Sequence, residues 1–269
     1  MSYGRIACLS TEAVETLYLL GAEDLIAGIS GFTTRPGRAR REKPKISGFS
    51  RAKMERILAV EPDLVIAFSD LQADIVRDLI RAGVEVHVFN QRDVGGIFRM
   101  IAGLAALVDK RQAGERLVAD LQQRLDAARR HARDPAHRPR IYFEEWNAPL
   151  ISGIRWVSEL IEAAGGEDCF AEESHRGTAR ERIIADPAEV VRRAPDIIIG
   201  SWCGKKFQPD HVLTRPGWGA VPAVRDDQLY EIKSADILSP GPAAITEGLA
   251  QLERIIGQWR RTSGSSGTT

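Results

Sequence analysis

Two short stretches in the second half of the chain hold residue types that do chemistry. Glu144-Glu145 is an adjacent acid pair of the kind used in general acid–base catalysis. Trp202-Cys203-Gly204-Lys205-Lys206 sets a thiol beside two ammonium groups, which would lower its pKa and make a nucleophile. A hydrolase or transferase using Glu144, Cys203 and Lys205 is implied if these groups converge. Strand alternation, however, sends Glu144 and Glu145 to opposite faces. No histidine neighbours Cys203; the next is His211. The same lysines suit a ligand's carboxylate or phosphate equally well.

No catalytic set and no metal site is expected. His87, His131, His137, His175 and His211 form no short-range ligand pair. His175 is left only as a single axial ligand to a metal already held in a macrocycle. Glycine-rich phosphate loops, GxSxG elbows and CxxC pairs are absent from the sequence. Cys8, Cys169 and Cys203 lack motif spacing and read as reduced thiols. Aromatic residues are more telling. Phe49, Phe68, Trp146 and Trp202 each come just after an apolar run, and Trp156 comes soon after Trp146. They either stack on a flat ligand or fill a gap between lobes.

The elements that position these residues come in two similar sets. ERILAVEPDLVIAFS at 55–69 is echoed by EVVRRAPDIIIGSW at 189–202, and LYLLGAEDL at 17–25 by IEAAGGEDC at 161–169. The repeat predicts two similar lobes facing each other, with a ligand cleft between them. In the first lobe, strands are predicted at Arg5–Leu9, Leu25–Ile29, Leu64–Phe68 and Val84–Phe89. Helices are predicted at Glu15–Leu20, from Ser50 or Arg51 to Leu58, and at Gln72–Ala82, with a polar loop over 33–45. Alternating strands and helices make a parallel α/β sheet. Residues 94–132 carry helical periodicity without proline and read as a rigid rod spanning both lobes, with a break near Asp109. The second lobe has strands at Arg140–Glu144, Ile197–Ile199 and Gln228–Ile232. Its helices are Trp156–Ala164, one opened by Asp186-Pro187, and Gly248–Trp259. The expected division is an N-terminal lobe 1–93, a connecting helix 94–134, a C-terminal lobe 135–262 and a flexible tail 263–269.

Composition narrows the partners. Lys plus Arg balance Asp plus Glu at 37 each, so nucleic acid is not expected. No run reaches the ~18 apolar residues of a membrane helix, so no membrane insertion is expected either. A monomer is expected. As the chain stands it reads as cytoplasmic, or as periplasmic if a leader has been removed. Ligands of parallel sheets meet the loops at the carboxyl ends of the strands. Those loops are Ser10–Glu12, Gly48–Ser50, Phe68–Asp70 and Asn90–Arg92, then Glu144–Trp146, Ser201–Lys206 and Ser234–Leu238.

Several stretches together resemble the substrate-binding proteins of ABC importers for vitamin B12 and iron chelates, the class III family with a helical backbone. They are VETLYLLGAEDLIAGIS (14–30), ILAVEPDLVIAF (57–68), GVEV (83–86), WVSELIEAAGGEDCF (156–170), VVRRAPDIIIGSW (190–202) and ILSPGPAAITEGL (237–249). EEWNAPLISGIRWVSELIEAAGG at 144–166 resembles the cobalamin-binding branch. The resemblance implies two Rossmann-like lobes joined by a long spanning helix, and no enzymatic activity. It implies a cobalamin-like corrinoid held as ligand, with no intrinsic cofactor. An iron-siderophore or haem is the alternative ligand. The expected contacts are Phe49, Phe68, Gln91, Glu145, Trp146, Trp156, Arg182, Trp202, Lys205 and Asp236. Phe68 stands where the family has a ligand-packing tryptophan, and a second such tryptophan falls near Arg182. Asp74 and Glu189 match the acids that dock to an ABC permease.

Overall fold

The computed structural model describes residues 3–48, 50–132 and 138–265, the side chains through 262. The chain divides into two compact units, Met1–Leu121 with Ser239–Pro242, and Gln122–Leu238 with Ala243–Thr269.

The first unit contains β1 (Ile6–Cys8), α1 (Thr11–Leu19), β2 (Ile26–Ser30), α2 (Ala39–Glu42), β3 (Lys45–Ser47), α3 (Met54–Leu58), β4 (Leu64–Phe68), α4 (Ala73–Arg81), β5 (Val86–Phe89) and α5 (Val94–Leu107). Its sheet has the order β3-β2-β1-β4-β5, every pair parallel. β4, LVIAF, is buried throughout because it is a central strand covered on both faces. The chain works outward from β1 to β3, then restarts at β4 on the other side. That reversal puts a topological switch point at the carboxyl ends of β1 and β4.

α6 (Arg111–His131) begins in the first unit and ends in the second. The rod expected over 94–132 is two helices, α5 and α6, divided where a break was expected. The break falls at Asp109, whose φ of 54° lies in the left-handed region and stops α5. The loop expected over 33–45 also holds α2 and leads into β3, whose short edge strand Lys-Ile-Ser gives too little alternation to be read.

The second unit contains β6 (Arg140–Asn147), β7 (Leu150–Ser152), α7 (Arg155–Ala163), β8 (Glu167–Asp168), α8 (Ala171–Ser174), α9 (Ala188–Arg193), β9 (Ile197–Gly200), α10 (Asp210–Leu213), α11 (Pro222–Arg225), β10 (Leu229–Glu231), α12 (Ser234–Ile237) and α13 (Leu249–Ser265). The sheet order is β10-β9-β6-β7, with β8 also on β6. All pairs are parallel except β6–β7, a hairpin absent from the expectation. Here the switch point lies at the ends of β6 and β9. The backbone of α13 continues to Ser265; residues 266–269, within the expected tail, lie outside the described residues.

The internal repeat has a physical reason in both units. After each Pro-Asp, the aspartate binds the backbone that starts the unit's first strand. The Asp63 carboxylate accepts the N–H groups of Gly4 (2.6 Å) and Arg5 (3.0 Å), and its own N–H donates to the Arg5 carbonyl. Asp196 does the same at Arg140, with carboxylate and N–H both bonded at 2.8 Å. The second echo is a helix stop. Gly21 and Gly165 take φ of 63° and 90°, and the next N–H groups, of Ala22 and Gly166, reach back to the carbonyls of Leu17 and Ile161.

Candidate functional site

In the first unit, the loop after β4 is fixed by Gln72. Its Oε1 accepts the Phe68 N–H (2.9 Å) and its Nε2 donates to the Leu9 carbonyl (3.2 Å), tying the ends of β4 and β1 together. Phe68 ends a buried strand and is only 6% exposed, with the Arg92 guanidinium 5.9 Å from its ring centroid. Arg92 also pairs with Asp70 at 2.7 Å. Gln91 is buried and donates to the carbonyl of Pro240 (2.9 Å) and to Glu12 (3.4 Å). Glu12 is a buried carboxyl at the start of α1. Burial pushes its pKa up to about 7, although bonds from Thr11, Ser10 and Gln91 pull the other way. Phe49 lies outside the described residues. A cavity of about 600 Å³ opens between α4 and β5, lined among others by Asp70, Arg77, Ile80, Val88 and Asn90.

In the second unit, a register shift between Glu144 and Trp146 interrupts the regular alternation expected for the acid pair, and the two carboxylates take different partners. Glu144 is fully buried. Both its oxygens are taken by Arg215, at 2.6 and 2.9 Å, and Oε1 also accepts the Trp202 indole N–H at 3.0 Å. Glu145 pairs with the buried Arg182 at 2.7 and 3.3 Å; Arg182 donates as well to the Ser152 carbonyl. Arg182 is therefore a buried brace between β6 and the end of β7.

The aromatic residues divide. Trp156 is 3% exposed on α7, and its indole N–H binds the Ile237 carbonyl (2.9 Å), which anchors α7 to α12. Trp202 is buried against Phe207, ring centroids 5.0 Å apart, yet lines a cavity. Trp146 is half-buried, with its N–H on the Ala148 carbonyl (2.9 Å). The Lys205 ammonium lies 4.1 Å from the Trp146 centroid and 4.9 Å from that of Trp202, and donates to Asn147 Oδ1 at 2.5 Å. The cavity is about 650 Å³ and is lined by Trp202, Gly204, Lys205, Lys206 and Glu231–Ala235. Its volume falls in the range of small-molecule sites. Asp236, just past this lining, accepts from Gln251 Nε2 (3.0 Å).

Cys203 is exposed, but its thiol pKa is raised, by crowding of the sulfur and by the Glu145 carboxylate. The expectation that two lysines lower it is corrected: Lys205 is drawn onto the tryptophan faces and onto Asn147. Of the docking pair, Asp74 is strongly exposed and bonded to Arg77 at 2.6 Å. Glu189 is half-buried and paired with Arg193 and Arg192, which hold its carboxyl below the usual range.

Sequence reasoning missed Arg215 and Lys233, and named Glu12 only as the end of the loop Ser10–Glu12. Arg215 had no local signal, since its partner Glu144 lies 71 positions away. Lys233 falls between the predicted strand 228–232 and the loop 234–238 and was assigned to neither. Among the described residues no helix is long and apolar enough to cross a membrane, and no cluster of three or more His, Cys, Asp or Glu forms a metal site.

The chain is 26% identical over 90% of its length to the vitamin B12-binding protein of Vibrio parahaemolyticus, covering 85% of that protein. Among solved structures, a possible iron-binding (periplasmic solute-binding) protein from Staphylococcus epidermidis superposes with a TM-score of 0.80 at 19% identity, over 95% of this chain and 99% of that one. The periplasmic vitamin B12 binding protein of Vibrio cholerae gives 0.74 at 20% identity, over 96% and 98%. Both share the α/β fold with two mostly parallel sheets. The periplasmic binding protein profile matches residues 6–235, so this chain belongs to the periplasmic binding protein family.

Proposed function

We propose that this protein binds a cobalamin-like corrinoid, either as the substrate-binding component of an ABC-type uptake system or as a soluble corrinoid carrier. The observation that carries the reading is the likeness, over 90% of the chain, to a protein named for vitamin B12 binding. The geometry supports it. Aromatic side chains stand at the strand ends of both switch points: Phe68 closes β4, Trp146 lies near the end of β6 and Trp202 follows β9. Rings so placed suit the flat face of a macrocycle, while Lys205, Asp236, Gln91 and the loop amides suit its polar edge. Trp156, Arg182 and Glu145 serve by holding those loops in place. Rigid loops of this kind reduce the ordering cost of binding.

No bond-making step is assigned. Both Glu144 oxygens are engaged by Arg215, and the Cys203 thiol stays protonated near neutral pH. Asp74 and Glu189 are proposed as permease-docking acids. A second reading, haem or an iron-siderophore, is favoured by one observation, the lysines beside Trp202.

Calorimetry with cyanocobalamin and hydroxocobalamin, with haem and a ferric siderophore alongside, tests the proposal. Saturable one-to-one cobalamin binding, weakened by Trp146→Ala or Phe68→Ala, is expected. Absence of heat and of any visible spectral change with either cobalamin overturns it.

A further inference from the structure

We infer that the cavity beside Trp202 is an anion subsite, and that the protein therefore prefers a corrinoid with free peripheral carboxylates to the fully amidated cobalamin. The inference rests on the corrinoid reading and narrows its substrate class.

Across the chain cations and anions balance at 37 each, and many of the described arginines sit on acids, as Arg182 on Glu145, Arg215 on Glu144 and Arg193 on Glu189. The cavity gathers three of the chain's seven lysines. Lys205, Lys206 and Lys233 line it against one carboxylate, Glu231. One oxygen of Glu231, Oε1, accepts the Phe207 N–H at 2.9 Å, and three ammonium groups against this one carboxylate leave the lining with a surplus of positive charge. None of the three lysines has an ion-pair partner among the described residues. They come from two loops, after β9 and after β10, whose parallel pairing (Glu231 beside Gly200) fixes them on one rim.

The apolar wall matters as much. Lys205 lies over two indole faces with one amide oxygen as its neutral partner. A cation so placed is partly desolvated and gains from an anionic partner more than a free surface lysine does. A ring platform edged by ammonium groups matches a flat macrocycle with carboxylates on its periphery. The cavity takes one edge of such a ligand. Full amidation removes those edge charges and leaves neutral hydrogen bonds at the lysines, the one remaining anion of cobalamin being the phosphodiester of its nucleotide loop.

The test compares cyanocobalamin with dicyanocobyrinic acid, whose peripheral groups are free acids, by calorimetry at low and high salt. The variants are the triple Lys205→Gln, Lys206→Gln, Lys233→Gln and a control of equal charge loss, Lys45→Gln, Lys53→Gln, Lys110→Gln. Wild type should bind the acid about tenfold or more tightly than cyanocobalamin, with the preference fading at high salt. The first triple variant should lose the preference, its cyanocobalamin affinity falling by less than its affinity for the acid, and an unchanged circular dichroism spectrum shows that it is folded; the control should keep both. If the triple variant does not fold, Lys206→Gln and Lys233→Gln singly must each reduce the preference. Cobalamin binding with no preference for the acid, or an equal loss in the control, overturns the subsite and leaves the corrinoid reading intact. Failure of both corrinoids to bind overturns the two together.

Discussion

Replacing Glu12 by Gln should remove a specific pH dependence of stability. Glu12 is 3% exposed, and the backbone around it is crowded: a Cβ on Gly241 would come within 2.6 Å of the Glu12 Cβ. The Ser239–Pro242 segment thus seals the carboxyl from water on one side. Burial raises its pKa from an ordinary 4.5 to about 7. Below about pH 4.5 the group is protonated folded and unfolded, and it costs nothing. As pH rises towards 7 the unfolded chain releases the proton while the folded one keeps it, so stability falls. Above about 7 both forms are ionised and the full penalty stands. At about 1.4 kcal/mol per pH unit, that penalty is about 3 kcal/mol.

Glutamine keeps one acceptor oxygen, for Gln91 or for Thr11, and has nothing to ionise. Urea denaturation at a series of pH values between 4.5 and 8 reads the difference directly. The stability of wild type relative to Glu12→Gln should fall by about 3 kcal/mol across that range, with most of the change between pH 5 and 7. Parallel profiles for the two proteins would refute the reasoning, because they would mean that Glu12 ionises in the folded state as it does in the unfolded one.

Three further substitutions probe the frame of the site. Glu144→Ala leaves the part-buried Arg215 without its carboxylate and should cost about 3 kcal/mol, read as a lower thermal midpoint. Gly200→Ala drives a methyl into the Phe207 ring, which is packed on Trp202; a loss of about 1–3 kcal/mol is expected, and Phe207→Leu in the same chain should restore part of it. Ala194 ends α9 with φ of 46°, a conformation that strains a Cβ, so Ala194→Gly should raise stability by about 0.5–1 kcal/mol in urea titrations.

Much of the architecture was legible because it rests on short-range patterns. The all-apolar runs of β4 and β9 read directly as buried strands. The glycines at 21 and 165 and the Pro-Asp pairs marked the helix stops and the strand starts they enforce. The features that escaped have a common cause: long-range partners with no local trace. β7 is three residues long and exists because it pairs back on β6 through the cis Ala148-Pro149 turn. The break at Asp109 was anticipated, yet its consequence was not: α5 stays within the first unit, and α6 alone carries the chain onward from there into the second. At the site, sequence placed aromatic residues at strand ends but gave no means of separating Trp146, half-buried, from Trp156, whose indole N–H is taken by Ile237. The same holds for Arg182, read as a contact and found as a brace.

The buried charges behind Trp202 explain how a loop after a strand becomes a stable surface. A tryptophan at the end of β9 can rotate unless its indole N–H is fixed, and burying that N–H without an acceptor is costly. Glu144 supplies the acceptor from the adjacent strand β6. A buried carboxylate is itself unfavourable, and Arg215 offsets it with two charge-assisted bonds. The Arg215 guanidinium then lies 4.4 Å from the Trp218 ring centroid, which carries the network into the core of the unit. Each member exists to satisfy the one before it. The acid pair that first suggested catalysis is thus divided between two structural duties: Glu144 orients the ring of Trp202, and Glu145 holds Arg182 under the loop of Trp146. The surface that results from both is two indoles with Lys205 over their faces. That arrangement supports the recognition role proposed above, with both carboxylates of the acid pair occupied in holding side chains in place.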